Sequence, residues 1–146
     1  YELLKIILTR HESLQTLVKD HLKVEKFHHP VLRPVADKLL GFMNSGEIPQ
    51  ADELFNLEWN EEQRLYLARL ILEAEPLQFV EDTSDLRALT QDCIAVLLTV
   101  DIDLEILAVR DKIKAAEKKG EDSSALVVQL INLQQKRRAI EDQIKA

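Results

Sequence analysis

Leu98, Ile102, Ile106, Val109, Ile113 and Ala116 follow one another at steps of four, four, three, four and three. This is the spacing of one face of a helix, and it cannot belong to a strand, whose faces alternate every second residue. No Gly or Pro falls between Asp82 and Lys118. A single helix of about 33 residues would run on the order of 50 Å at 1.5 Å per residue. Gly120 then breaks the pattern, Asp122 or Ser123 offers a cap, and a second series follows: Leu126, Leu130, Leu133, Arg137, Ile140 and Ile144. Two heptad seams joined by a tight loop predict an antiparallel helical hairpin.

Each arm covers one seam, so any further apolar stripe must face the rest of the chain or a partner. On the first arm the extra residues are Leu104 and Leu107, expected at the base of the hairpin. On the second arm Val127, Val128 and Ile131 lie off the seam and close to the loop, and they are expected to be available for binding. Val127 and Ile131 stand about 100° from the seam, flanked by Gln134 and Arg138. The five residues Val127, Val128, Ile131, Gln134 and Arg138 are the candidate partner-binding surface.

Upstream, three glycines and four prolines in 146 residues leave little material for the turns of an all-β fold. Leu3, Ile6, Ile7 and Arg10 open one periodic segment, and Leu14, Leu17, Val18, His21 and Leu22 carry the next. Pro30 and Pro34 mark the start of a helix running to about Met43, ended by Asn44-Ser45-Gly46. A short helix near Asp52–Phe55 follows. Asn60 with Gln63 reads as a capping box for a helix through Glu73, with Trp59 before it as a hydrophobic staple. Pro76 is expected to close that helix by driving Glu75 out of helical conformation. The expected fold is all-α: a helical bundle over residues 1–100, then a long helix and a protruding C-terminal helical hairpin over residues 101–146.

Charge and chemistry narrow the function classes. The net charge is −7, with 17 acids against 10 bases in residues 1–100 and nine of each in residues 101–146. That balance opposes a domain built to grip a phosphate backbone. Lys112, Lys114, Lys118 and Lys119 are interleaved with acids and lack aromatic neighbours for base stacking, so no direct nucleic-acid binding is expected. The apolar runs are too short to span a membrane, and the use of a single cysteine gives the expectation of a cytoplasmic protein. The lone Cys93 removes any internal disulfide and reads as a packed small side chain.

No catalytic, metal or cofactor site is expected. His11, His21, His28 and His29 form no i, i+4 zinc pair, and Asp101, Asp103 and Glu105 lack the glycine turn of a calcium loop and read as a solvated helical face. Gly41, Gly46 and Gly120 stand too far apart for a phosphate loop, and no Gly-rich elbow supports a nucleophile.

The run from Ile106 to Gly120 (ILAVRDKIKAAEKKG), followed by Ser124 to Lys136 (SALVVQLINLQQK), resembles the helical hairpin that ends bacterial DnaG-type primases. Tyr1-Glu-Leu-Leu, Phe27-His-His-Pro-Val-Leu and Ser45-Gly-Glu-Ile-Pro49 look like the helical bundle that these primases share with the N-terminal domain of DnaB-type replicative helicases. The resemblance implies a non-catalytic module that docks a primase onto the N-terminal domain of the hexameric helicase and modulates it. It also implies that the nucleotidyltransferase and zinc-binding domains lie upstream of Tyr1; the start at Tyr1, without Met and already in a helical pattern, suggests a piece of a longer protein. Two alternatives stand beside it. One is the helicase's own N-terminal domain, disfavoured because residues 141–146 carry the heptad to the end without a linker. The other is an unrelated helical ligand-binding domain.

Overall fold

The computed structural model describes residues 1–145, which contain seven α-helices and no strand. They are α1 (Glu2–Leu8), α2 (Glu12–His21), α3 (Leu32–Ser45), α4 (Ala51–Phe55), α5 (Glu61–Ala74), α6 (Ser84–Lys118) and α7 (Ser124–Lys145), with 3₁₀ turns at Val24–Lys26 and Glu75–Phe79. The protein is all-α. The chain divides into two compact units, Tyr1–Ile94 and the residues from Ala95 onward, and α6 is continuous through the division.

In the first unit α1 is the central element. Leu3, Leu4, Ile6, Ile7 and Leu8 are all buried, so the helix is apolar nearly all round, and it packs on α2, α3 and α5. It ends at a feature that helical periodicity does not announce. Arg10 takes a left-handed backbone (φ 63°), which reverses the chain into α2. Its guanidinium donates through Nη1 to the carbonyl of Ile48 at 2.9 Å and through Nη2 to that of Pro49 at 2.6 Å, tying the α1–α2 corner to the loop before α4.

His29 Nδ1 accepts from the amides of Val31 and Leu32 at 3.2 and 3.1 Å, so an imidazole takes the place of the usual Ser or Asp cap at the start of α3. The helix runs to Ser45, slightly past the expected end at Met43, and Ser45 Oγ donates back to the carbonyl of Gly41.

The capping box of α5 is present. Gln63 N donates to Asn60 Oδ1 at 2.8 Å and Asn60 N donates to Gln63 Oε1 at 3.1 Å. Trp59 is buried just ahead of it, its Nε1 donating to the Leu54 carbonyl at 2.8 Å and its ring carrying the Lys38 ammonium 4.1 Å from the centroid.

Pro76 does not close the helix in the expected way. Glu75 keeps helical angles (φ −53°, ψ −49°) and the chain tightens into a 3₁₀ turn with Pro76 in its first turn, where a missing N–H leaves no bond unmade.

Candidate docking groove

Two helix entries with the same chemistry bracket α6 and α7. Asp82 Oδ1 accepts from the amide and hydroxyl of Ser84 (3.0 and 2.6 Å), and Asp122 Oδ1 accepts from those of Ser124 (2.9 and 2.6 Å). These bonds hold both carboxyls below the usual aspartate range. Between the helices, Gly120 takes the left-handed backbone (φ 70°) that a side chain would resist. The Glu121 amide donates to the Ala116 carbonyl at 2.9 Å and the Gly120 amide to that of Glu117 at 3.2 Å, which is a Schellman ending for α6.

Within the second unit the apolar repeat is the shielded face. Ile102, Ile106, Val109 and Ala116 of α6 are buried, as is Ile144 of α7, and Leu126, Leu130, Leu133 and Ile140 are half-buried. Arg137 occupies a seam position in α7. Its Nε donates to Asp103 of α6 at 2.6 Å and its Nη1 to Glu141, one turn along α7, at 2.5 Å. Asp103 and Arg137 stand at equal chain distances on either side of Gly120, so the two helices run antiparallel.

Beside this ion-paired cluster a groove of about 830 Å³ opens between the two helices. Leu107 (56% exposed) from α6 and Ile131 (47% exposed) from α7 are its accessible apolar side chains, and Arg110, Gln134 and Arg138 give it polar lining. Of the residues singled out from sequence, Ile131, Gln134 and Arg138 therefore line one groove. Val127 (40% exposed) and Val128 (57%) are also accessible but do not line it.

Leu107 and Arg110 are exposed lining residues from α6 that the α7-based surface lacks. Leu107 is legible in the sequence as an extra apolar position on α6, and it lies open, as does Leu104 (61% exposed). Arg110 is three residues from Leu107, so it shares that side of the helix.

Two of the histidines are engaged away from the groove. His29 caps α3, and His11 Nε2 lies 2.8 Å from the Leu77 carbonyl. Cys93 is partly buried, and burial pushes its thiol up. No helix among the described residues is long and apolar enough to cross a membrane. No protein-family model, no curated protein and no solved structure matches this chain.

Proposed function

We propose that this chain is a non-catalytic docking module of a DnaG-type primase, binding the N-terminal domain of the hexameric replicative helicase and modulating it in the cytoplasm. The observation that carries the reading is the groove at Ile131. Apolar anchors from two helices lie there within a polar rim, an arrangement in which a few side chains supply most of a binding energy. The likeness of Ile106–Gly120 and Ser124–Lys136 to the terminal hairpin of such primases, runs that include Leu107, Arg110, Ile131 and Gln134, supports the same reading.

Titration of the chain against the helicase hexamer, by calorimetry, tests it. Wild type should bind, and Ile131→Glu should weaken binding by at least ~2 kcal/mol with the melting temperature nearly unchanged, because an exposed position costs the fold little. Absence of wild-type binding, or an Ile131→Glu variant of undiminished affinity, would overturn the reading.

A further inference from the structure

The first three turns of α6 beyond Ala95 carry a second apolar stripe that the seam does not use. Val96, Val100, Leu104 and Leu107 repeat at steps of four, four and three, which places them on one side of the helix, away from Ile102, Ile106 and Val109. Val96 (64% exposed), Leu104 and Leu107 are open, and Val100 is half-buried. The stripe is about 16 Å long at 1.5 Å per residue, and through Leu107 it runs into the groove, where Ile131 extends it onto α7.

The charge at that end is specific. The two carboxylates lining the groove, Asp103 and Glu141, are both taken up by Arg137. Arg110 and Arg138 line the same groove, are exposed, and form no ion pair among the described residues. A ligand lying on the stripe therefore meets aliphatic side chains along its length and two uncommitted guanidiniums at one end. Guanidinium groups select carboxylates through paired N–H donors, so within the groove a carboxylate-bearing ligand is favoured over a basic one.

We infer that Val96, Val100, Leu104, Leu107 and Ile131, with Arg110 and Arg138 at one end, form a seat for a single amphipathic helix of a protein partner, its apolar stripe on the leucines and its carboxylates on the arginines. A third helix laid beside two that already pair is the ordinary way to cover an apolar stripe of this length. The inference deepens the docking reading and rests on it for the choice of surface, while adding the α6 stripe and the acidic character of the partner's helix.

The test uses the full chain, labelled with ¹⁵N, and two designed 20-residue helical peptides with the same Leu and Ile positions, one flanked by Glu and the other by Lys. The Glu peptide should bind at least about tenfold more tightly, with the advantage shrinking as salt rises. Its amide shifts should cluster on Leu104, Leu107, Arg110, Ile131 and Arg138. Leu104→Glu should abolish capture of the Glu peptide, and the double variant Arg110→Glu, Arg138→Glu should reverse the preference. All these positions are exposed, so circular dichroism and melting should stay at wild-type values.

Equal affinity for the two peptides, or shifts centred on the exposed Leu65 and Leu72 of α5, would overturn the inference. The helicase titration is read separately. Peptide selectivity without helicase binding removes the primase reading and keeps the seat; helicase binding that Leu104→Glu leaves intact keeps the reading and removes the seat.

Discussion

Arg137 of α7 reaches across to Asp103 of α6 at 2.6 Å and back along its own helix to Glu141 at 2.5 Å, so one guanidinium in a hydrophobic seam satisfies two carboxylates. All three side chains are about one-third to one-half exposed, which limits what the network adds to stability. The consequence is geometric: a charged seam position fixes which turn of α6 faces which turn of α7, as polar seam residues do in coiled coils.

Arg137→Leu should therefore leave the denaturation midpoint unchanged or raise it slightly, since an apolar side chain suits the seam. Asp103→Ala should cost no more than about 1 kcal/mol. Ile106→Ala, at a buried position of the same seam, should cost about 2–4 kcal/mol. Urea titration of the three variants checks the order, and a larger loss for Asp103→Ala than for Ile106→Ala would refute it.

The start of α5 offers two separable losses. Asn60→Ala removes the acceptor of the Gln63 amide and should cost about 1 kcal/mol. Trp59→Phe keeps a ring in the site but leaves the Leu54 carbonyl without its indole donor, and should cost about 1–3 kcal/mol. Thermal or urea unfolding reads both.

Arg10 combines a left-handed backbone with two carbonyl contacts, and these pull in opposite directions on substitution. Arg10→Gly relieves the backbone but loses the bonds to Ile48 and Pro49, whereas Arg10→Ala loses the bonds and keeps the strain. The glycine variant should be the more stable of the two by about 1 kcal/mol. Equal stability in urea would show that the backbone angle carries no cost.

At the entries of α6 and α7, Asp82 and Asp122 are held below the ordinary value of 3.8 by the hydroxyl and amide of Ser84 and Ser124. A carboxyl depressed in the folded state adds stability that is present above 3.8 and is lost as pH falls through its folded value. The first turns of both helices should therefore fray in acid. The Ser84 and Ser124 amide resonances should move with midpoints below 3.8, and Asp122→Asn should abolish the movement at Ser124 alone.

For Cys93, burial pushes the thiol up, with the carboxylate of Glu2 acting in the same direction. The thiolate is the reactive form, so alkylation of the native chain at pH 8 should be slower than that of free cysteine and should recover fully in denaturant. Equal rates before and after unfolding would contradict the burial argument.

Much of this architecture is legible without coordinates, for reasons particular to each element. The two seams read directly because a heptad repeat over several turns has no other regular conformation to occupy, and Gly120 with Asp122 supplies a left-handed stop and a carboxylate start where the repeat breaks. Asn60 and Gln63 read as a box because both bonds close within three residues. Pro76 misleads because the same ring that ends an α-helix also fits the first turn of a 3₁₀ segment, and sequence does not tell the two apart.

Periodicity names a face but not what lies against it. Leu104 and Leu107 are marked as extra apolar positions by the helical wheel alone, yet whether they are covered depends on contacts made by residues far along the chain. The same holds for Arg10, whose role is defined by carbonyls at Ile48 and Pro49, and for the groove, which needs Leu107 and Ile131 side by side although the chain keeps them two dozen residues apart. Local sequence determined the helices, their breaks and their caps, because those energies arise within a turn or two. Which arginines were spent on carboxylates and which stayed free was decided only by tertiary packing, because ion pairing depends on distances that the backbone sets once both helices are in place.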